Sequence, residues 1–385
     1  MKKGIIVTLG MHRSGTSLLS AALECLGVDF GDNLISPRPD NPKGFWEDEA
    51  IVELNDQLYA VLGSFSSALG FDEQRLLGMP ECAELQARID QLLEQRLNDR
   101  VLFGMKDPRL PRLMNVWSQV FEAQDVESAF VVPVRNPLSV AASLARREDF
   151  PTGKSLLLWY EHMYRALHFA GARRMVVVDY DGLLEHPRET LLRMADRLGL
   201  TFDEAAYQRF LGGVLDRELR HAQFDGAALR AHESSFSALL RLHDLLCRLA
   251  RDEVGPADKV REMAAVEDDF SALWSLLRHC GRQDVELWSS WQRGIRERED
   301  FAARENEMQG RRVALEEQFL AARRELEGLR GRMRCTEEEL RQANDAHARA
   351  LRRLDLLHAS TSWKITAPLR WGKRLLAGRG IGQDI

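Results

Sequence analysis

The chain has 385 residues, 53 lysines and arginines against 59 aspartates and glutamates, and a formal net charge of −6, a balance that argues against a general nucleic-acid binder. Its five cysteines (Cys25, Cys82, Cys247, Cys280, Cys335) are scattered and never spaced Cys-x-x-Cys, so neither a zinc knuckle nor a disulfide framework is indicated and a reducing compartment fits best. The length fits one α/β domain of about 200 residues with further structure beyond it. No run approaches the roughly 18 apolar residues of a membrane span, and the apolar run after Met1 is too short for a signal-peptide core, so a cytoplasmic location is expected.

Gly4 to Leu9 is short, β-branched and closed by Gly10, as a buried strand would be; from Thr16 onward Leu19, Leu23 and Leu26 recur at helical spacing. Between them lies Gly10-Met-His-Arg13-Ser14-Gly15-Thr16-Ser17. A tight loop that opens a helix presents free backbone N–H groups at the positive end of the helix dipole, which is a site for phosphate or sulfate. The spacing is close to a Walker A loop, but Thr16 stands where the lysine belongs, and Arg13 is the candidate replacement cation.

Residues 31–47 carry three prolines and read as a loop that ends in Phe45-Trp46-Glu47; partial desolvation by the two rings would raise the Glu47 pKa toward the range of a general base. Glu49 to Asp99 reads as helical with breaks at Gly63, Gly70 and Gly78–Pro80, and suggests no chemistry. Val101 to Met105 reads as a second strand running into Lys106-Asp107-Pro108, which puts a cation and an anion at a strand's carboxyl end, where open α/β sheets place ligands. Phe130 to Val134 reads as a third strand, followed by Arg135, a helix start at Asn136-Pro137, and Ser143 two turns in. A phosphomonoester needs such a fixed, always ionised fork with a neutral donor beside it.

Arg13-Ser-Gly-Thr-Ser17 after a first strand resembles the 5′-phosphosulfate loop of sulfotransferases that use 3′-phosphoadenosine 5′-phosphosulfate (PAPS), notably their carbohydrate and bacterial members. Arg135 and Ser143, eight residues apart, reproduce the pair that binds the 3′-phosphate in that family. Asp179-Tyr-Asp-Gly-Leu is similar to a segment late in such domains. The resemblance implies a P-loop-like parallel sheet flanked by helices, PAPS as co-substrate and no metal. It further implies that Arg13, Ser14, Gly15, Thr16 and Ser17 hold the 5′ end and that Arg135 and Ser143 hold the 3′-phosphate. Lys106 then matches the lysine that contacts the transferred group. Pro108 stands where cytosolic members place a catalytic histidine, so the base is expected to be Glu47, with Asp107 second. Leu18 replaces the adenine-stacking tryptophan of cytosolic members, whose Arg-Lys-Gly motif is also absent. Arg217 to His221 could reach the nucleotide, although a solvated helix face is the simpler role.

Leu156 to Ala170 and Pro187 to Leu198 read as helices around a fourth strand, Arg174 to Asp181. Beyond Arg188 only Pro256 and Pro368 occur, so an all-α remainder is expected. Residues 223–295 read as several short amphipathic helices with Trp274, Trp288 and Trp291 as packing residues. In 296–357, Phe319, Leu326, Met333, Leu340 and Leu354 share one heptad register, and Met308, Leu315, Ala322, Leu329, Ala343, Ala350 and Leu357 fall three residues later. A coiled coil and a homo-oligomer follow as expectations, with Arg312, Thr336 and His347 interrupting the seam. In 358–385 no acid lies between Ser360 and Gly380, where five bases alternate with Trp363, Ile365, Leu369 and Trp371, a pattern suited to the inner face of an anionic membrane. Ser362 to Arg370 is similar to a terminal segment of bacterial enzymes of surface-polysaccharide assembly.

The expected architecture is therefore a sulfotransferase domain over 1–222, a helical extension, a coiled coil and a basic tail. The expected activity is sulfuryl transfer to a hydroxyl of a surface glycan or its precursor. Two other classes stay open: a P-loop nucleotide or small-molecule kinase, and an inactive coiled-coil scaffold.

Overall fold

The computed structural model describes residues 3–37, 41, 44–213 and 224–377, with side chains described as far as Gly372. Four short strands, β1 (Gly4–Thr8), β2 (Leu102–Lys106), β3 (Glu127–Val134) and β4 (Met175–Asp179), form one parallel sheet in the order β2-β1-β3-β4. Strand alternation sends Ile5, Val7, Phe130 and Val132 to one face and Ile6, Ala129, Val131 and Val176 to the other. Both faces are covered, which is why the strands read as nearly unbroken apolar runs.

The helices are α1 (Thr16–Cys25), α2 (Glu49–Val61), α3 (Glu73–Leu77), α4 (Pro80–Leu97), α5 (Met114–Ala123), α6 (Pro137–Glu148), α7 (Thr152–Ala170), α8 (Tyr180–Glu185), α9 (Pro187–Leu198), α10 (Glu204–Gly213), α11 (Gly226–Ala231), α12 (Ser237–Ala250), α13 (Pro256–Ala359), α14 (Thr361–Ile365) and α15 (Ala367–Ala377). Helices α1, α9 and α10 cover the face of Ile6 through Leu19, Leu23, Leu191, Met194 and Phe210. The opposite face is covered by α2, α4, α5, α6, α7 and α12.

The chain divides into two compact units, residues 1–292 and 293–385. Residues 223–295 differ from expectation in two ways. Leu239, Leu242, Leu245 and Leu246 of α12 belong to the same core as the sheet, so this segment completes the first unit. Only α11 and α12 are short; from Pro256 onward a single helix replaces the further short helices expected, and Trp274, Trp288 and Trp291 all lie on it. Where it meets the loop before α3, a Cβ on Gly281 would stand 1.9 Å from the Leu69 carbonyl oxygen; only glycine permits that approach. Arg112 and Glu161, both fully buried and 2.7 Å apart, tie the same loop from beneath: Arg112 also donates to the carbonyls of Ser66 and Ala68, and Glu161 accepts from the amides of Gly70 and Phe71.

In the second unit, α14 is capped by the Ser360 hydroxyl, which accepts from the Trp363 amide, and the Arg370 guanidinium lies 3.6 Å over the Trp363 ring. Among the described residues no helix is long and apolar enough to cross a membrane.

Candidate active site

The chain enters the sheet at β1, moves outward to β2, then returns to the other side of β1 with β3. That reversal leaves a crevice at the carboxyl ends of β1 and β3, the place where open α/β sheets bind ligands. Across the sheet, the residues that follow each strand line up as Lys106 ending β2, the 9–15 loop after β1, Arg135 after β3 and Tyr180 after β4.

Two residues of the loop have positive φ, Arg13 at 67° and Gly15 at 90°. For arginine this is an uncommon and costly conformation, held in place by its contacts. Its Nε donates to Ser143 Oγ at 2.8 Å, and its carbonyl accepts from Arg135 Nη1 at 2.9 Å. The Arg135 guanidinium lies 4.4 Å over the ring of Tyr180, and a Cβ on Gly15 would sit 2.2 Å from that ring. Arg13, Gly15, Arg135 and Ser143 therefore meet at one point, with Tyr180 as the floor.

Helix α1 opens at Thr16 with no side-chain cap, so its first amides have no carbonyl one turn back to receive them. Ser14 departs from the expected amide cradle, because its N–H donates to the Met11 carbonyl at 3.2 Å within the loop. Its hydroxyl is buried and has no hydrogen-bond partner among the described residues. The amides of Gly15, Thr16 and Ser17 open the helix beside the Arg13 side chain, at the carboxyl end of β1.

A cleft of about 310 Å³ opens beside the loop, lined among others by His12, Arg13, Thr16, Ser17, Glu47 and Lys106. Lys106 Nζ donates to Glu47 Oε1 at 2.5 Å, and both side chains are nearly buried. Glu47 reaches this position because its carbonyl accepts from the Ile35 amide and the next residue, Asp48, caps α2, so the long loop is pinned at its end. Burial pushes the Glu47 pKa up, and the Lys106 ammonium works against that rise. The desolvation comes only in part from the expected aromatic pair. Phe45 lines the cleft, whereas Trp46 turns away, donates from Nε1 to Glu24 on α1 and packs under the opposite sheet face.

Asp107 is not placed as the alternative base. It is fully buried, does not line the cleft, and its oxygens accept from Asn55 Nδ2 (2.8 Å), the Arg109 amide (2.9 Å) and Arg109 Nη1 (3.0 Å). It positions Arg109, whose fork also grips Asp56 at the cleft wall.

His12, Asp56, Arg109, Arg147 and Tyr180 belong to the site and escape sequence reading. Tyr180 had a usable signal, since it directly follows a strand in the sheet. Asp56 and Arg109 had none, because α2 reads as an ordinary amphipathic helix. The His12 imidazole is held down to about 3 by burial and then by the nearby Arg109 guanidinium, so it is neutral at physiological pH. Arg217 to His221 lies outside the described residues. Among the described residues no group of three or more His, Cys, Asp or Glu side chains is arranged to hold a metal ion.

An uncapped helix start with an arginine in its loop, a second arginine just after the neighbouring strand and a buried lysine–carboxylate pair thus gather at the carboxyl edge of the sheet. A sequence profile of the Sulfotransferase family matches residues 5–204, more than half of the chain and all four strands, and the chain belongs to that family. No curated protein sequence matches it. Among solved structures it is similar to the sulfotransferase domain of the Synechococcus PCC 7002 olefin synthase, at 20% identity over 69% of this chain and 95% of that one, with a TM-score of 0.35. The sulfotransferase domain of the curacin biosynthetic pathway aligns at 18% identity over 70% and 98%, TM-score 0.33. Sulfotransferase STF1 of Mycobacterium tuberculosis H37Rv aligns at 18% over 58% and 74%, TM-score 0.30.

Proposed function

We propose that this sulfotransferase takes its sulfuryl group from PAPS and passes it to a hydroxyl of a surface glycan or its precursor. The observation that supports the donor is the meeting of two anion-binding elements far apart in sequence: Arg13 Nε on Ser143 Oγ, and Arg135 on the Arg13 carbonyl. The unpartnered, buried Ser14 hydroxyl beside the uncapped start of α1 fits a ligand that brings its own acceptor oxygens. A donor with an anionic group at each end suits a site with a cation on each of two neighbouring strand ends.

PAPS supplies an activated sulfuryl group with a good leaving group. Arg135 and Ser143 would hold the 3′-phosphate; Arg13 with the amides of Gly15 to Ser17 would hold the 5′ end. Lys106, at the end of β2, would offset the negative charge that grows on the bridging oxygen as the S–O bond breaks. Glu47 receives the acceptor proton once Lys106 turns from it to the donor, and the raised pKa of the buried carboxylate suits that task. The glycan acceptor is supported by Arg13 in the loop, the missing histidine after Lys106, and the tail, whose Ile365, Leu369 and Trp371 are each more than 70% exposed near Arg370 and fit an anionic membrane surface.

The test is PAPS-dependent release of 3′-phosphoadenosine 5′-phosphate by the purified chain with hydroxyl-bearing glycans, run against ATP with magnesium. Sulfated product with PAPS supports this reading. Phosphorylated product with ATP would select the kinase reading instead.

A further inference from the structure

Between Phe301 and Leu357, helix α13 leaves its apolar side chains in solvent. Phe319 is 67% exposed, Leu326 49%, Met333 63% and Leu340 62%, and Met308, Leu315 and Leu329 are similarly open. This part of the helix also contains Gly310, Gly328 and Gly331, each costing about 1 kcal/mol of helix propensity relative to alanine. A helix gains most of its stability from a packed apolar face, and here that face has no cover within the segment. The seam is narrow. With Phe319 at position a, the e positions from 309 to 344 are Gln309, Glu316, Arg323, Arg330, Glu337 and Asn344, and the g positions from 311 to 339 are Arg311, Gln318, Glu325, Arg332 and Glu339. Charged and amide residues border the a and d stripe on both sides, and a two-residue-per-heptad stripe is the pattern of a two-stranded coil.

The charges identify the partner. In a parallel, in-register pair of identical helices, each g residue faces the e′ residue five positions later on the other strand. That rule joins Arg311 to Glu316, Glu325 to Arg330 and Arg332 to Glu337, all of opposite sign, while Gln318–Arg323 and Glu339–Asn344 each include an uncharged side chain. No like-charged g–e′ pair occurs between 311 and 344. Small Ala322 and Ala343 at d let the strands approach closely, while Arg312 and Thr336 are polar seam positions that cost stability.

We propose that residues 301–357 are the interface of a parallel, in-register dimer with a second copy of this chain, with roughly 85 Å of seam at 1.5 Å per residue. Both basic tails then leave the coil at the same end, so a membrane or other anionic surface would be met by two tails at once.

Three measurements on the full-length chain test this. Light scattering at micromolar concentration should give the mass of two chains. In a Cys335→Ser background, Leu329→Cys (d) and Leu340→Cys (a) should each form a disulfide-linked dimer on mild oxidation. Reversing the g charges (Arg311→Glu, Glu325→Arg, Arg332→Glu) or the e charges (Glu316→Arg, Arg330→Glu, Glu337→Arg) should each weaken self-association about tenfold or more, while an equimolar mixture of the two variants restores it. The mixture separates lost pairing from failed folding. A monomeric or trimeric mass, absence of cross-linking at both cysteines, or self-association unchanged by either reversal would overturn the proposal.

Discussion

The Nε of Arg13 donates to the Oγ of Ser143 at 2.8 Å, joining the loop after the first strand to the helix after the third. Parallel sheet order makes this contact possible, because β1 and β3 are neighbours although more than a hundred residues separate them. Ser143→Ala should therefore weaken binding of 3′-phosphoadenosine 5′-phosphate about tenfold, the effect of one hydrogen bond to a charged group. Arg135→Ala should weaken it at least a hundredfold, because it would remove the proposed fork on the phosphate together with the hold on the Arg13 carbonyl. Calorimetric titration of each variant checks both values.

Tyr180 carries no reacting group, yet its ring lies beneath the Arg135 guanidinium and against Gly15. Tyr180→Ala should release that arginine and lower nucleotide affinity about tenfold, whereas Tyr180→Phe should bind like the unaltered chain, since the contact is with the ring face. Equal losses in both variants would assign the role to the hydroxyl instead.

Glu47 and Lys106 should separate kinetically. Glu47→Gln keeps the shape of the cleft and removes the proton acceptor, so kcat should fall by about two to four powers of ten while nucleotide affinity stays within a few-fold. The rate should rise with pH through an apparent pKa above the ordinary carboxylate value, because the ionised form is the active one and burial raises its pKa. His12, depressed to about 3, is neutral throughout that range, so His12→Gln should leave the acid limb in place. Disappearance of the limb in His12→Gln would transfer the titration to the imidazole.

Acid should destabilise the fold through two other histidines. Burial holds His162 well below its ordinary value and His243 down to about 4. A depressed folded-state pKa means that their contribution is complete above the unfolded value of about 6.5 and is lost as pH falls toward the folded one. Each should cost about 1 kcal/mol per pH unit below pH 6, seen as a falling Tm between pH 6.5 and 4.5. Removing one partner of the Arg112–Glu161 pair should be larger: Glu161→Gln leaves a fully buried guanidinium without its counter-ion and should cost about 3–5 kcal/mol in urea unfolding.

Much of this site is written in local sequence. Arg13 to Ser17 and the Arg135, Ser143 spacing can be read because each lies within one strand-turn-helix unit, where turn chemistry and register act over a few residues. Lys106 is legible for the same reason. Glu47 is harder: its place depends on the Ile35–Glu47 backbone bond and the Asp48 cap, and the neighbouring Trp46 goes to the other side of the sheet. Asp107 carries the charge of a base, but three donors from α2 and its own turn consume its oxygens, and no pattern in one strand end reveals donors that lie on a distant helix. The continuous α13 was hidden by local glycines and tryptophans, which resemble breaks and short-helix cores when the surrounding packing is unknown.

The most direct test of the two anion-binding elements as a PAPS site is calorimetric titration of the purified chain with 3′-phosphoadenosine 5′-phosphate, beside the same titration with ATP and magnesium. The account predicts saturable binding of the bisphosphate, much weaker binding of ATP, and loss of the bisphosphate signal in Arg135→Ala. Preference for ATP, or no heat with the bisphosphate from folded protein, would contradict it.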